Sequence, residues 1–271
     1  MNFLRTGHFF GNTNGTITLG GITLTNTDTE QTQEHVDWHY HENAYFTFIL
    51  EGKLIEAYKK KNYICSAGSL LFHSSQEPHY NVKPKGNTRC FHIEYDNKRF
   101  DDSAFNVNNL QGIFTVDDPD IKFLFYKAFR ETKICDDITV ASIEIILFEI
   151  FGRMLSVKQF EQHTRPVWVK KLKDILHESY SEKFSLANLS RELDIHPVHL
   201  SRDFSKHFHC TLSEYVRKLR VEKSLSLMSD KNLSLTEIAF KCGFADQSHF
   251  LRSFKVINGI NPSAYRNLLV E

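Results

Sequence analysis

The chain has 271 residues, of which 41% are hydrophobic and 24% charged. That length suits two ordinary domains, and that composition can bury a core, which excludes a disordered chain. Its 33 basic and 33 acidic residues cancel overall, yet residues 165–271 carry 17 basic against 12 acidic side chains while residues 1–164 carry 16 against 21. A polyanion rewards local cation density rather than the average, so the second half is the part expected to face phosphate. No stretch reaches the roughly 20 apolar residues of a membrane span, and MNFLRTGHFFG lacks the apolar block of a signal peptide, so a cytoplasmic protein with no membrane contact is expected. The five cysteines are scattered and never spaced CxxC, which reads as packing thiols rather than a disulfide framework or a structural zinc site.

From Thr16 to about Tyr95 the chain runs in short β-branched and aromatic stretches: ITLGGITL, AYFTFIL, KLIEAY, NYICSAGSLLF and RCFHIEY. Turn residues separate them, which predicts an antiparallel sandwich or barrel. Lys59-Lys60-Lys61 reads as a solvated turn between strands. After Phe100 the period changes. Asp120 to Thr132 and Ile138 to Val157 predict helices, the second with Ile138, Ala141, Ile145, Phe148, Phe151 and Leu155 as its apolar stripe. Such faces cover the intramolecular core or a second subunit. The join SVKQFEQHTRP is short and polar, with a proline suited to start a helix.

The last hundred residues are helical and repeat. Ser185, Leu186 and Leu189 recur 49 residues later as Ser234, Leu235 and Ile238, and His199, Arg202 and Phe204 recur 50 residues later as His249, Arg252 and Phe254. A duplicated helix-turn-helix behaves this way, because insertions collect in the turn. Ser185 and Ser234 read as N-caps, the latter with Glu237 in a capping box. Turns follow at Asp194-Ile195-His196 and Gly243-Phe244-Ala245, and second helices start after His196 and Asp246. Phe204 and Phe254 read as core, as does Trp168. Thr211 to Met228 is a connecting helix of roughly 25 Å at about 1.5 Å per residue. That length suits two recognition helices in successive major-groove segments.

FSLANLSRELDIHPVHLSRDFSKHF, LSEYVRKLRVEKSLSLM and LSLTEIAFKCGFADQSHFLRSFKVINGINPSAYR resemble the DNA-binding domain of AraC-type transcription regulators, from Val167 to Arg266. The resemblance implies base-edge contacts at Val198, Ser201 and Arg202 in the first recognition helix, and at Gln247, Ser248, Leu251 and Arg252 in the second. Arginine suits bidentate guanine contact and glutamine adenine. It further implies phosphate contacts at Lys206, Lys255 and the amides after Ser185 and Ser234. Where the family usually has glycine, this chain has Asp194 and His209, residues that enter the left-handed region more readily than most. The second helix offers the stronger hydrogen-bonding surface and is expected to read more sequence.

In the first half, WHYHENAYFTFILEGKL and SAGSLLFHSSQEPHYNV are similar to the two cupin motifs. By that resemblance His39, His41 and His79 stand at metal-ligand positions, while Tyr45 or Phe46 stands where the carboxylate belongs. Three histidines suffice for zinc or iron with an open site, but the missing carboxylate favours a pocket for a small organic effector lined by His39, His41, Tyr45, Phe46 and His79. No metal or other cofactor is assigned, and whether those histidines hold an ion stays open. Tyr45 and Phe46 alternate faces in a strand, so at most one of them sees the pocket.

The expected fold is a multi-domain α+β chain: an N-terminal cupin-like antiparallel β-barrel with following helices, then a C-terminal all-α double helix-turn-helix domain. The expected borders are 1–100 for the effector-sensing barrel, 101–164 for a helical dimerisation and linker segment, and 165–271 for DNA binding. The resemblance implies a non-enzymatic regulator, by family habit an activator. Its implied partners are promoter double-stranded DNA, RNA polymerase, a small effector and a second copy of itself. The alternatives are a metal-dependent cupin enzyme fused to a DNA-binding domain, and an architectural binder without effector.

Overall fold

The computed structural model describes residues 1–30, 34–59, 61–96, 110–134, 136–161 and 166–270. It divides into two compact units, Met1–Leu155 and Ser156–Glu271. The borders expected at 100 and 164, together with Lys60, Cys135 and part of the polar join, lie outside the described residues.

In the first unit the strands are β1 (Asn2–Leu4), β2 (Asn12–Leu19), β3 (Ile22–Thr29), β4 (Glu34–His41), β5 (Ala44–Glu51), β6 (Lys53–Tyr58), β7 (Lys61–Ser66), β8 (Leu70–His73), β9 (His79–Lys83), β10 (Thr88–Tyr95) and β11 (Ile113–Thr115). They form two sheets, of order β1-β4-β9-β6-β7 and β11-β8-β5-β10-β3-β2. The β-rich architecture expected of the first unit is present as two facing sheets: no strand among the described residues pairs with both, and β1 joins β4 in parallel. The sheets are held together by packing instead. Leu54, Tyr58 and Cys65 of one sheet cluster with Ile49, Leu71, Cys90 and Ile113 of the other. Gly52 turns β5 into β6 at φ 81°, where a Cβ would strike the Asn87 carbonyl, so this hairpin needs glycine.

Two helices follow, α1 (Pro119–Ile134) and α2 (Thr139–Glu161). The Asp118 carboxylate accepts the Asp120 and Ile121 amides and so caps α1. Their buried rings pack on the six-stranded sheet, Phe125 on Phe46 at 5.1 Å, Phe129 on Phe91 at 5.6 Å and Phe151 on Tyr95 at 5.3 Å. The buried face of α2 is Ile143, Ile146, Leu147, Ile150, Phe151 and Met154. Of the stripe expected from sequence, Ile138, Ala141, Ile145 and Phe148 are exposed, at 66%, 67% and 52% for the three large residues. The reason is that α2 carries two apolar stripes, and periodicity alone does not tell which one the sheet takes.

The second unit is helical: α3 (Val167–Glu178), α4 (Leu186–Leu193), α5 (Pro197–Phe208), α6 (Leu212–Leu227), α7 (Leu235–Lys241), α8 (Gln247–Asn258) and α9 (Pro262–Val270). Leu172, Leu176, Leu189, Leu193, Leu200, Phe204, Tyr215, Val216 and Leu219 make one core, with Trp168 half-buried against it. Phe250, Phe254 and Tyr265 make aromatic contacts in the second repeat. Helix α6 packs against α5, α7 and α8, so the connecting rod is a wall shared by both helix pairs.

Candidate functional site

Local sequence signals set both helix pairs. Ser185 accepts the Asn188 amide and Ser234 the Glu237 amide, which starts α4 and α7 where the caps predict. Asp194 closes α4 at φ 54° and His209 closes α5 at φ 54°, both in the left-handed region, where their repeat counterparts Gly243 and Gly259 stand at φ 80° and φ 75°. Pro197 begins α5, and the Asp246 carboxylate accepts the His249 amide at the start of α8. Each second helix buries its phenylalanines, Phe204 and Phe254, and leaves the opposite face in solvent.

On those solvent faces Val198, Ser201, Arg202, Lys206, Ser248, Arg252 and Lys255 are exposed, and Gln247 and Leu251 half-buried. The two arginines differ. Arg202 is tied back along its own helix, to the Asp203 carboxylate at 3.3 Å and the His199 ring at 3.4 Å. No such internal contact involves Arg252 among the described residues, so its guanidinium keeps its donor set for an outside acceptor. Ser185 caps the Asn188 amide, and no acidic side chain stands in the first turn of α4. Ser234 differs: its hydroxyl and amide both donate to Glu237 Oε2, each at 2.7 Å. That carboxylate occupies the anion position at the start of α7 and counts against Ser234 as a phosphate contact. Arg220 is structural, because Nε donates to the Tyr180 carbonyl at 2.8 Å and Nη2 to the Glu182 carbonyl at 2.6 Å.

The pocket of the first unit lies between the inner faces of its two sheets, and strand register assembles it. His39 pairs with His79 across β4–β9, Tyr45 with His73 across β5–β8, Thr47 with His92 across β5–β10, and Glu56 with Asn81 across β6–β9. His39, His41, His73, His79, His92 and Glu56 are all buried. Tyr45 stacks on His73 at 4.3 Å and donates its hydroxyl toward His79 Nε2 at 3.0 Å. Phe46, expected as a candidate pocket residue, points the other way into the α1 and α2 rings, which corrects its assignment through strand alternation.

Burial holds every one of these imidazoles below its ordinary value, His73 to about 3 and His79 to about 4. His39, His41 and His92 shift the same way for the same cause. All five are therefore neutral at pH 7, able to act as ligands or hydrogen-bond partners. Burial raises the Glu56 carboxyl. Lys83 crosses the pocket, donating to the Phe10 carbonyl at 2.8 Å and the Thr29 hydroxyl at 2.7 Å. Phe9 stacks on His92 at 3.8 Å and Phe10 meets His39 at 4.8 Å, so the N-terminal segment closes over the rings. What is left is a cavity of about 30 Å³ lined by Tyr45, Glu56 and His92 among others, room for roughly two waters. Phe9 and Phe10 are part of its lining.

Sequence reasoning missed Glu56, His73, His92, Lys83 and Phe9. His73 was within reach, since it shares a face with Leu71 at the end of β8 and faces Tyr45. Glu56 lay in an ordinary amphipathic strand with no signal of its own.

Two like helix pairs on one shared rod define a double helix-turn-helix unit. Residues 189–268 match a helix-turn-helix domain family. Over 92 residues the chain is 32% identical to the HTH-type transcriptional regulator YtdP of Bacillus subtilis (strain 168), covering 34% of this chain and 12% of that protein. Over 99 residues it is 28% identical to the Msm operon regulatory protein of Streptococcus mutans serotype c, covering 36% of each. The match thus spans about a third or less of these relatives. Among solved structures, ToxT K231A of Vibrio cholerae strain SCE256 overlies 92% of this chain and 98% of its own at 15% identity and a TM-score of 0.39, too loose to bear on the site. Within residues 189–268 the chain thus carries a helix-turn-helix domain.

Proposed function

We propose that the chain is a one-component transcription regulator, non-enzymatic and cytoplasmic, whose residues 165–271 bind promoter DNA and whose residues 1–100 sense a small effector. The observation that carries this reading is the duplicated cap, turn and core of the second unit, with Arg202 and Arg252 at equivalent solvent-exposed positions. Val198, Ser201 and Arg202, and Gln247, Ser248, Leu251 and Arg252, supply the base edges, with Lys206, Lys255 and the amides after Ser185 on phosphate. The exposed stripe Ile138, Ala141, Ile145 and Phe148 supports residues 101–164 as the contact with a second copy. RNA polymerase is the partner through which bound protein acts as an activator. Among the described residues no helix is long and apolar enough to cross a membrane.

Selection of duplexes from a random-sequence library by the full-length protein tests the reading. A recovered consensus with two segments one helical turn apart supports it, and recovery of unenriched sequence overturns it.

A further inference from the structure

The ring cluster between the two sheets contains polar atoms that nothing among the described residues satisfies. Among the described residues neither ring nitrogen of His73 finds a hydrogen-bond partner, and neither does Glu56 Oε1, although both side chains are at most 2% exposed. A buried carboxylate facing a buried imidazole without hydrogen-bond geometry is costly unless something bridges them. The spacing indicates what does. Glu56 Oε1 lies 3.5 Å from His73 Nε2 and 3.7 Å from His79 Nε2. A tetrahedral zinc ion with bonds near 2.1 Å sets its ligand atoms about 3.4 Å apart.

The tautomer fits as well. His79 Nδ1 donates to the Glu77 carbonyl at 2.9 Å, which leaves the Nε2 lone pair pointing into the cluster, the arrangement that a backbone carbonyl imposes on ligating histidines. Tyr45 O–H now occupies that lone pair, so an ion arriving there takes the place of one hydrogen bond. Two neutral imidazoles and one carboxylate select a borderline ion over calcium or magnesium, which prefer all-oxygen sites.

We propose that Glu56, His73 and His79 hold a divalent transition-metal ion of the zinc class. This is a different trio from His39, His41 and His79, whose ligand atoms also lie within 4.8 Å of one another. Glu56 comes from β6 and His73 from β8, and neither stands at a position that the cupin resemblance assigns to a ligand. The ion's service as the effector rests on the regulatory reading above, whereas its binding does not.

The test uses full-length protein stripped with a chelator, dialysed and titrated with Zn²⁺ alone, with bound metal counted and the thermal midpoint followed. Uptake of one ion per chain and a rise in midpoint are expected in the wild type. Glu56→Gln is expected to bind at least about tenfold more weakly, with its midpoint in metal-free buffer showing that it folds. His41→Ala, which belongs only to the other trio, is expected to keep its ion. Absence of uptake by folded wild type overturns the proposal, as does loss of the ion in His41→Ala with Glu56→Gln unaffected. Binding to the library-selected duplex is read separately, with and without Zn²⁺. Uptake with unchanged duplex affinity ends the effector role and upholds the site, and failure to bind any duplex in either state overturns the regulatory reading alone.

Discussion

Tyr45 and Phe46 are neighbours in β5 with opposite surroundings, one among imidazoles and the other among helix rings. The same alternation places His92 inward, where the Thr27 and Thr47 hydroxyls meet its two nitrogens at 3.0 and 3.1 Å and Phe9 covers its face. Burial first, then Lys83 and His73, push His92 well below 6.5, with Tyr45 and His41 also nearby. An unfolded histidine takes up its proton near 6.5 and the folded one does not, so the contribution of His92 is full above that pH and falls as pH drops below it. The thermal midpoint is therefore expected to decline from pH 7.5 to pH 5, with a shallower slope in His92→Gln. A flat wild-type profile contradicts this. In the second unit, Arg252→Ala is expected to cost about 1–3 kcal/mol of discrimination at one base position. Arg202→Ala should cost less, because Asp203 and His199 already engage that guanidinium. A base-substituted operator series read by competition binding checks the order, and equal or reversed losses refute it.

At the scale of elements, the two helix pairs are the same design closed by different residues. Asp194 and His209 hold left-handed conformations that Gly243 and Gly259 hold without a Cβ. Asp194→Gly and His209→Gly are each expected to stabilise the second unit, by up to about 1 kcal/mol, as read from urea unfolding of the full chain. Gly243→Ala should go the other way by more than that amount, since its Cβ meets the Ser181 backbone and its φ is positive. In the first unit the helix faces carry the lesson. Helix α2 turns Phe151 and Met154 inward and Ile145 and Phe148 outward. If the outer stripe joins two copies, Ile145→Asp and Phe148→Asp shift the protein from dimer to monomer in sedimentation while leaving the fold intact, because neither side chain is core.

At the scale of the whole molecule, a net charge of zero conceals a chain whose second half alone suits a polyanion. Duplex affinity is expected to fall at least about 100-fold between 50 and 200 mM salt, the range for several phosphate contacts, and titration at stepped ionic strength measures it. A salt-insensitive interaction would remove phosphate from the reading.

The helix-turn-helix pairs were legible in the sequence because their information is local: a capping serine, a turn residue and apolar periodicity all lie within about thirty residues. The strand stretches were legible for the same reason, and that His39 and His41 share a face followed from their separation by two. The association of Glu56 with His73 and His79 was not legible. It depends on the register of β6, β8 and β9 in two facing sheets, and register is settled by the packing of the whole unit, not by any one strand. The same holds for the face of α2 that meets the sheet, and for Phe9 closing the pocket from the far end of the chain. The sequence by itself determined the elements and the repeat. Only tertiary packing decided which buried groups share a site, because that choice is made between segments with no local code for one another.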